Sequence, residues 1–167
     1  WLTLRALQVL YPAGLPQRGG VRVEFQTAAR SGSTGVVACV VQMLTGAAGN
    51  SGFKGLAGRF SRAGLQRFAP EIPLTMRYTR IDTGEAVDAA ADLSLLPAPP
   101  ALDVLLQRCV HQATPEDLRE LGRLWQKRVE LLLGEYAHDP SVFVLRPVVH
   151  RPRGGLRVPH QLLERRA

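Results

Sequence analysis

Apolar positions change their period several times along the chain, and each change marks an element. Leu2, Ala6, Val9 and Leu10 recur at helical spacing and predict a helix over residues 2–10, stopped by Pro12, Gly14 and Pro16. Val21, Val23 and Phe25 then alternate with Arg22 and Glu24, the period of a strand with one face in the core. After a polar, Gly- and Ser-rich loop over 30–35, residues 36–44 are almost wholly apolar. Their β-branched content allows a strand, but Ser33 and Thr34 ahead of the segment and Gly46 behind it are the start and stop signals of a helix. A helix so short and so apolar is expected to be buried on most sides.

Gly46, Gly49, Gly52, Gly55 and Gly58 punctuate the next stretch as a loop. Residues 59–68, 74–81 and 85–93 read as strands, the last two joined by an Asp82-Thr83-Gly84 turn. Pro97, Pro99 and Pro100 mark a linker into two helices. The first carries Leu102, Leu105, Leu106, Cys109 and Val110. The second opens on Thr114 as N-cap, with Pro115 at its first position and Asp117 three residues after the cap. Its apolar stripe includes Leu118, Leu121, Trp125 and Leu132, and Gly134 ends it. Residues 142–149 form a last strand, which Pro147 confines to a sheet edge.

The order predicts an α+β fold, with an α-β-α-β-β-β core over 1–96 whose helices pack on a mixed sheet. A two-helix extension and the edge strand, 97–149, belong to the same domain. Residues 150–167 form a basic tail, extended or disordered.

Composition narrows the function classes. A chain of 167 residues with 46% hydrophobic and 21% charged residues can bury a core without disulfides or structural metal. No apolar run reaches the roughly 18 residues of a membrane span, and no signal peptide opens the chain. Two cysteines, Cys39 and Cys109, lie among aliphatic neighbours without a CxxC partner, which fits a reducing, cytoplasmic setting. The net charge is +7. From Arg146 onward six arginines (Arg146, Arg151, Arg153, Arg157, Arg165, Arg166) face Glu164 alone, a surplus of five, leaving +2 for residues 1–145. The basicity therefore belongs to the tail. That tail suits an acidic partner or RNA, although no aromatic residue interleaves its arginines for base stacking.

Catalytic signals are absent. Gly46 to Lys54 does not fit GxxxxGK[ST], no GxGxxG or GxSxG occurs, and His111, His138, His150 and His160 are scattered without metal-ligand spacing. Glu116 with Arg119 and Glu120 with Arg123 stand three apart, as on a solvated helix face.

One segment resembles a known family. The run Val41-Gln42-Met43-Leu44-Thr45-Gly46-Ala47-Ala48-Gly49-Asn50-Ser51-Gly52-Phe53 is similar to the central motif of the FmdE-like family, named for a component of formylmethanofuran dehydrogenase: Ile-Gln, two residues, Thr-Gly, then a Gly-rich turn with Asn. The stretch from Tyr78 to Val87, the Thr114-Pro115 helix start, the Trp125–Val129 segment and the Phe143 strand resemble later parts of that family. The resemblance covers about residues 1–149 and implies the core described above, with frequent dimerisation. In such a fold Gln42, Thr45, Gly46, Asn50, Ser51 and Lys54 would line a pocket beside a metal. The departures are also informative. The family's His-rich, Cys-Pro-Gly-containing opening is not seen before the first helix. A family cysteine falls at about Val36, and a family aspartate falls where Cys39 stands. Cys39 is thus either a buried structural thiol or a stand-in ligand for zinc or another transition metal.

Three readings follow. In the first, the chain is a non-catalytic subunit, a scaffold or docking element in a larger redox or metalloenzyme assembly of the molybdenum or tungsten type. Arg146, Arg151, Arg153 and Arg157 would then meet a neighbouring subunit. In the second, it is a metal-binding protein or enzyme whose site is completed by residues upstream of Trp1. In the third, its tail binds nucleic acid. Homo-oligomer or hetero-complex is expected for the first.

Overall fold

The computed structural model describes residues 1–55 and 60–149, and the expected tail over 150–167, with Arg151, Arg153 and Arg157, lies outside them. The elements run α1 (Leu2–Leu10), β1 (Val21–Phe25), α2 (Thr34–Thr45), β2 (Lys54–Gly55), β3 (Phe60–Ser61), β4 (Gln66–Phe68), β5 (Met76–Arg80), β6 (Ala86–Ala91), α3 (Pro100–His111), α4 (Pro115–Leu133) and β7 (Phe143–Val148). Five strands make one mixed sheet in the order β4-β1-β5-β6-β7, with β4 parallel to β1 and every other pair antiparallel. The fold is α+β, and β7 is an edge strand as Pro147 requires.

Register fixes two faces. Val21, Val23, Phe25, Met76, Tyr78, Val87 and Ala89 share the inner face, where Ala6, Leu7 and Leu10 of α1 and Val41 of α2 pack on them. Tyr78 is wholly buried there; its hydroxyl meets Thr3 Oγ1 at 2.8 Å, and burial pushes the phenol up to about 12. Arg80 closes the far end by donating to the Leu10 carbonyl at the end of α1 and lying over the Tyr11 ring.

Four expectations need correction. The strand expected over 59–68 is two short ones in different sheets, β3 and β4, because Gly64 turns the chain between them at φ +71°. Val9 is exposed; Thr3 and Leu7 join Ala6 and Leu10 on the buried face of α1 instead. Glu24 is buried although its strand neighbours alternate as expected. Most consequentially, α2 buries only Val41 and Thr45. It lies on the surface of the sheet layer, so half its apolar circumference faces outward.

The two C-terminal helices keep their expected signals. Thr114 and Asp117 form a reciprocal capping box, which holds the Asp117 carboxyl below the usual carboxylate range. Asp117 also accepts from Arg108 at 2.9 Å, tying α4 to α3. Leu102, Leu105 and Leu124 make a small cluster separate from the main core. The stripe expected for α4 is only partly covered: Leu118 and Trp125 are exposed.

Candidate docking surface

The residues after α2 resolve into structural work and open solvent. Thr45, 1% exposed, donates its hydroxyl to the Val41 carbonyl and accepts from the Ala47 amide. Gly46 ends the helix at φ +76°, its amide bonded to the Gln42 carbonyl, while Gly19 donates to Thr45 O. Ala48 bonds through its backbone to Arg62, Leu65 and Gln66, and Gln66 Nε2 donates to the carbonyls of Ala38 and Ala47. A Cβ at Gly52 would stand 2.9 Å from Ala63 Cα, so the glycine permits two backbones to touch. Thr45→Val, which keeps the shape and orphans the buried Ala47 amide, is expected to cost about 1–3 kcal/mol in a urea unfolding titration.

Gln42, Asn50 and Ser51 face solvent, and Lys54 opens β2. The structure therefore brings Thr45 and Gly46 together as a helix stop, and does not gather these six residues around one pocket. Cys39 is exposed, which corrects the buried-thiol reading. Among the described residues no three His, Cys, Asp or Glu side chains stand close enough to hold a metal ion.

An apolar cleft lies elsewhere, at the other end of α2. It has a volume of about 340 Å³ and opens between the start of α1 and the first half of α2, over a floor of Phe25 and Met76. Trp1, Leu2, Val36 and Val40 wall it, with the hydroxyls of Thr27 and Thr34, 2.6 Å apart, at the rim. The wall continues outward as a ridge. Val36, Val40 and Met43 are 71%, 48% and 72% exposed, and the helical period sets exposed Cys39 among them. No residue of α2 is charged.

The outer sheet face has the opposite chemistry. Register places Arg67, Glu24, Arg77, Asp88 and Arg146 in one row across all five strands, alternating in sign. Arg77 grips Asp88 with two bonds of 2.6 and 2.9 Å, and Arg67 pairs with Glu24. Glu24 and Asp88 are each 5% exposed, and among the described residues neither apolar cluster includes a member of this face. Arg146, expected to meet a partner, sits exposed at the edge of this row.

The ridge is visible in the sequence as a charge-free helix, but its burial is not. The charged row is invisible there, since it exists only once strand register is known. Among the described residues no helix is long and apolar enough to cross a membrane. No family model, curated protein or solved structure matches the chain.

Proposed function

We propose that this chain is a non-catalytic docking subunit, similar in plan to the FmdE-like component of formylmethanofuran dehydrogenase, that serves as a scaffold in a larger redox or metalloenzyme assembly of the molybdenum or tungsten type. The observation that supports the reading is α2: a charge-free helix that turns Val36, Val40 and Met43 outward beside an apolar cleft. Contiguous exposed apolar surface of this kind marks a contact site, and depletion of charge is what distinguishes the centre of an interface from the remaining surface. Val36, where the resemblance puts a cysteine, lends the cleft a hydrocarbon wall instead of a thiolate. The occupant is a protein partner with its own apolar ridge, seated against α2 and the cleft mouth.

Purification of the tagged chain from its native cell tests this. A stoichiometric partner carrying a redox cofactor is expected, retained by the natural chain and lost by at least tenfold on Met43→Glu. A chain that emerges alone, or a partner indifferent to Met43→Glu, contradicts the reading. Elemental analysis of the isolated chain separates the metal-binding alternative: stoichiometric zinc lost on Cys39→Ser would replace docking by metal chemistry.

A further inference from the structure

The cleft beside α2 reaches further in than the ridge that borders it. Its floor, Phe25 and Met76, is 6% and 4% exposed and belongs to the main core, so the cleft runs inward between α1 and α2 to the sheet itself. Met43 and Cys39, which stand on the ridge, do not line it. Ridge and cleft are two surfaces, and covering the first leaves the second to be filled.

Most of the lining is hydrocarbon: Trp1 and Leu2 at the start of α1, Val36 and Val40 on α2, and the floor beneath them. Hydroxyls gather where β1 ends. Thr27 and Thr34 touch at 2.6 Å, and Ser33 adjoins Thr34. Thr75 is held nearby, because its carbonyl accepts from the amide of Gln26, the neighbour of Thr27. Within the Thr27–Thr34 pair one hydroxyl donates to the other, so the accepting hydroxyl keeps its own proton for a further acceptor. Not one lining side chain carries a charge.

Three properties select an occupant. The volume of about 340 Å³ lies at the small end of the roughly 300–1,000 Å³ of small-molecule sites. An ion of either sign would lose its water there with no counter-charge to replace it. A pure hydrocarbon would match the walls but leave the free hydroxyl proton unused, whereas one oxygen on the same skeleton accepts it.

We propose that the cleft is a binding site for a compact, neutral, mostly hydrocarbon molecule that turns one hydroxyl or carbonyl oxygen toward Thr27 and Thr34. Its body lies on Phe25 and Met76, between Trp1 and the first half of α2. The site goes beyond the docking reading and stands without it.

Methyl NMR titration of the full chain with three probes of one ring size tests this. Cyclohexanol is expected to shift the Val40 and Met76 methyl resonances saturably. Cyclohexanecarboxylate should bind at least tenfold more weakly, for want of a counter-charge. Ala91→Phe, which grows from the lining into the cleft, should abolish cyclohexanol binding. Thr27→Val with Thr34→Val keeps the shape at two positions outside the buried core. It should weaken cyclohexanol by about tenfold and leave methylcyclohexane unchanged, while Met43→Glu alters neither. No saturable shift in the natural chain overturns the proposal. So does a carboxylate that binds as well as the alcohol, binding that survives Ala91→Phe, or binding lost in Met43→Glu, which would put the probe on the ridge. Cyclohexanol bound undiminished by the paired valine variant overturns it equally, and keeps the test decisive if Ala91→Phe does not fold. Failure of the docking reading, seen by co-purification, leaves all these titrations unaffected.

Discussion

Arg77→Met is expected to lower the unfolding free energy by about 3 kcal/mol, and the melting temperature by about 6–12 °C. The substitution keeps an unbranched aliphatic side chain but removes the charge standing between Glu24 and Asp88. Asp88 loses two bonds, and both carboxylates remain 5% exposed with less positive charge beside them. Breaking a fully buried pair costs about 3–5 kcal/mol; the Arg77 side chain is 26% exposed, so the lower end applies. Removing both charges is different. Arg77→Met with Asp88→Leu leaves no orphaned ion from this pair and is expected to recover most of the loss. Chemical denaturation of the natural chain and the two variants checks this, and a double variant no better than the single would show that the row contributes through packing alone.

Gly46→Ala is expected to cost about 2–4 kcal/mol. The position sits at φ +76°, where any residue with a Cβ is strained, and the added carbon would lie 3.0 Å from Gly19 N and 3.2 Å from Arg18 Cβ. Those neighbours are held in place, since Gly19 donates to Thr45 O and Arg18 to Met43 O. The strain therefore spreads into the end of α2. Thermal melts of Gly46→Ala and of Gly32→Ala, also at positive φ but in open space, separate the two costs: Gly32→Ala carries the backbone term alone.

The parts of the fold legible in the sequence are those set by local chemistry. Thr114, Pro115 and Asp117 announce the start of α4, Gly84 the turn between β5 and β6, and Pro147 the edge position of β7. These depend on neighbours within a few residues. What stays hidden depends on distant ones. The side of α2 that meets the sheet is chosen by Val41 and Thr45 against β1 and the loop after the helix, and a helix apolar all round carries no mark of that choice. Glu24 looks like a solvent-facing strand position because Arg67 and Arg77, its cross-strand neighbours, come 43 and 53 residues later. Thr45 and Gly46, expected to line a pocket, serve instead as the helix stop for a related reason: the glycines after α2 let backbone pack on backbone, and Ala48 and Gln66 complete that contact. The apolar cleft forms instead at the other end of α2, from Trp1, Val36 and Val40, residues far apart in the chain and unremarkable singly.

If the α2 ridge is a docking surface, the thiol in its middle reports on it. Cys39 is exposed on that ridge, while Cys109 on α3 is half-buried and serves as an internal reference. Alkylation of Cys39 by iodoacetamide should be fast in the isolated chain. In the intact native assembly it should slow at least tenfold relative to Cys109. Cys39 alkylated as quickly in the assembly as in the isolated chain would mean that the ridge stays uncovered, and would contradict the account.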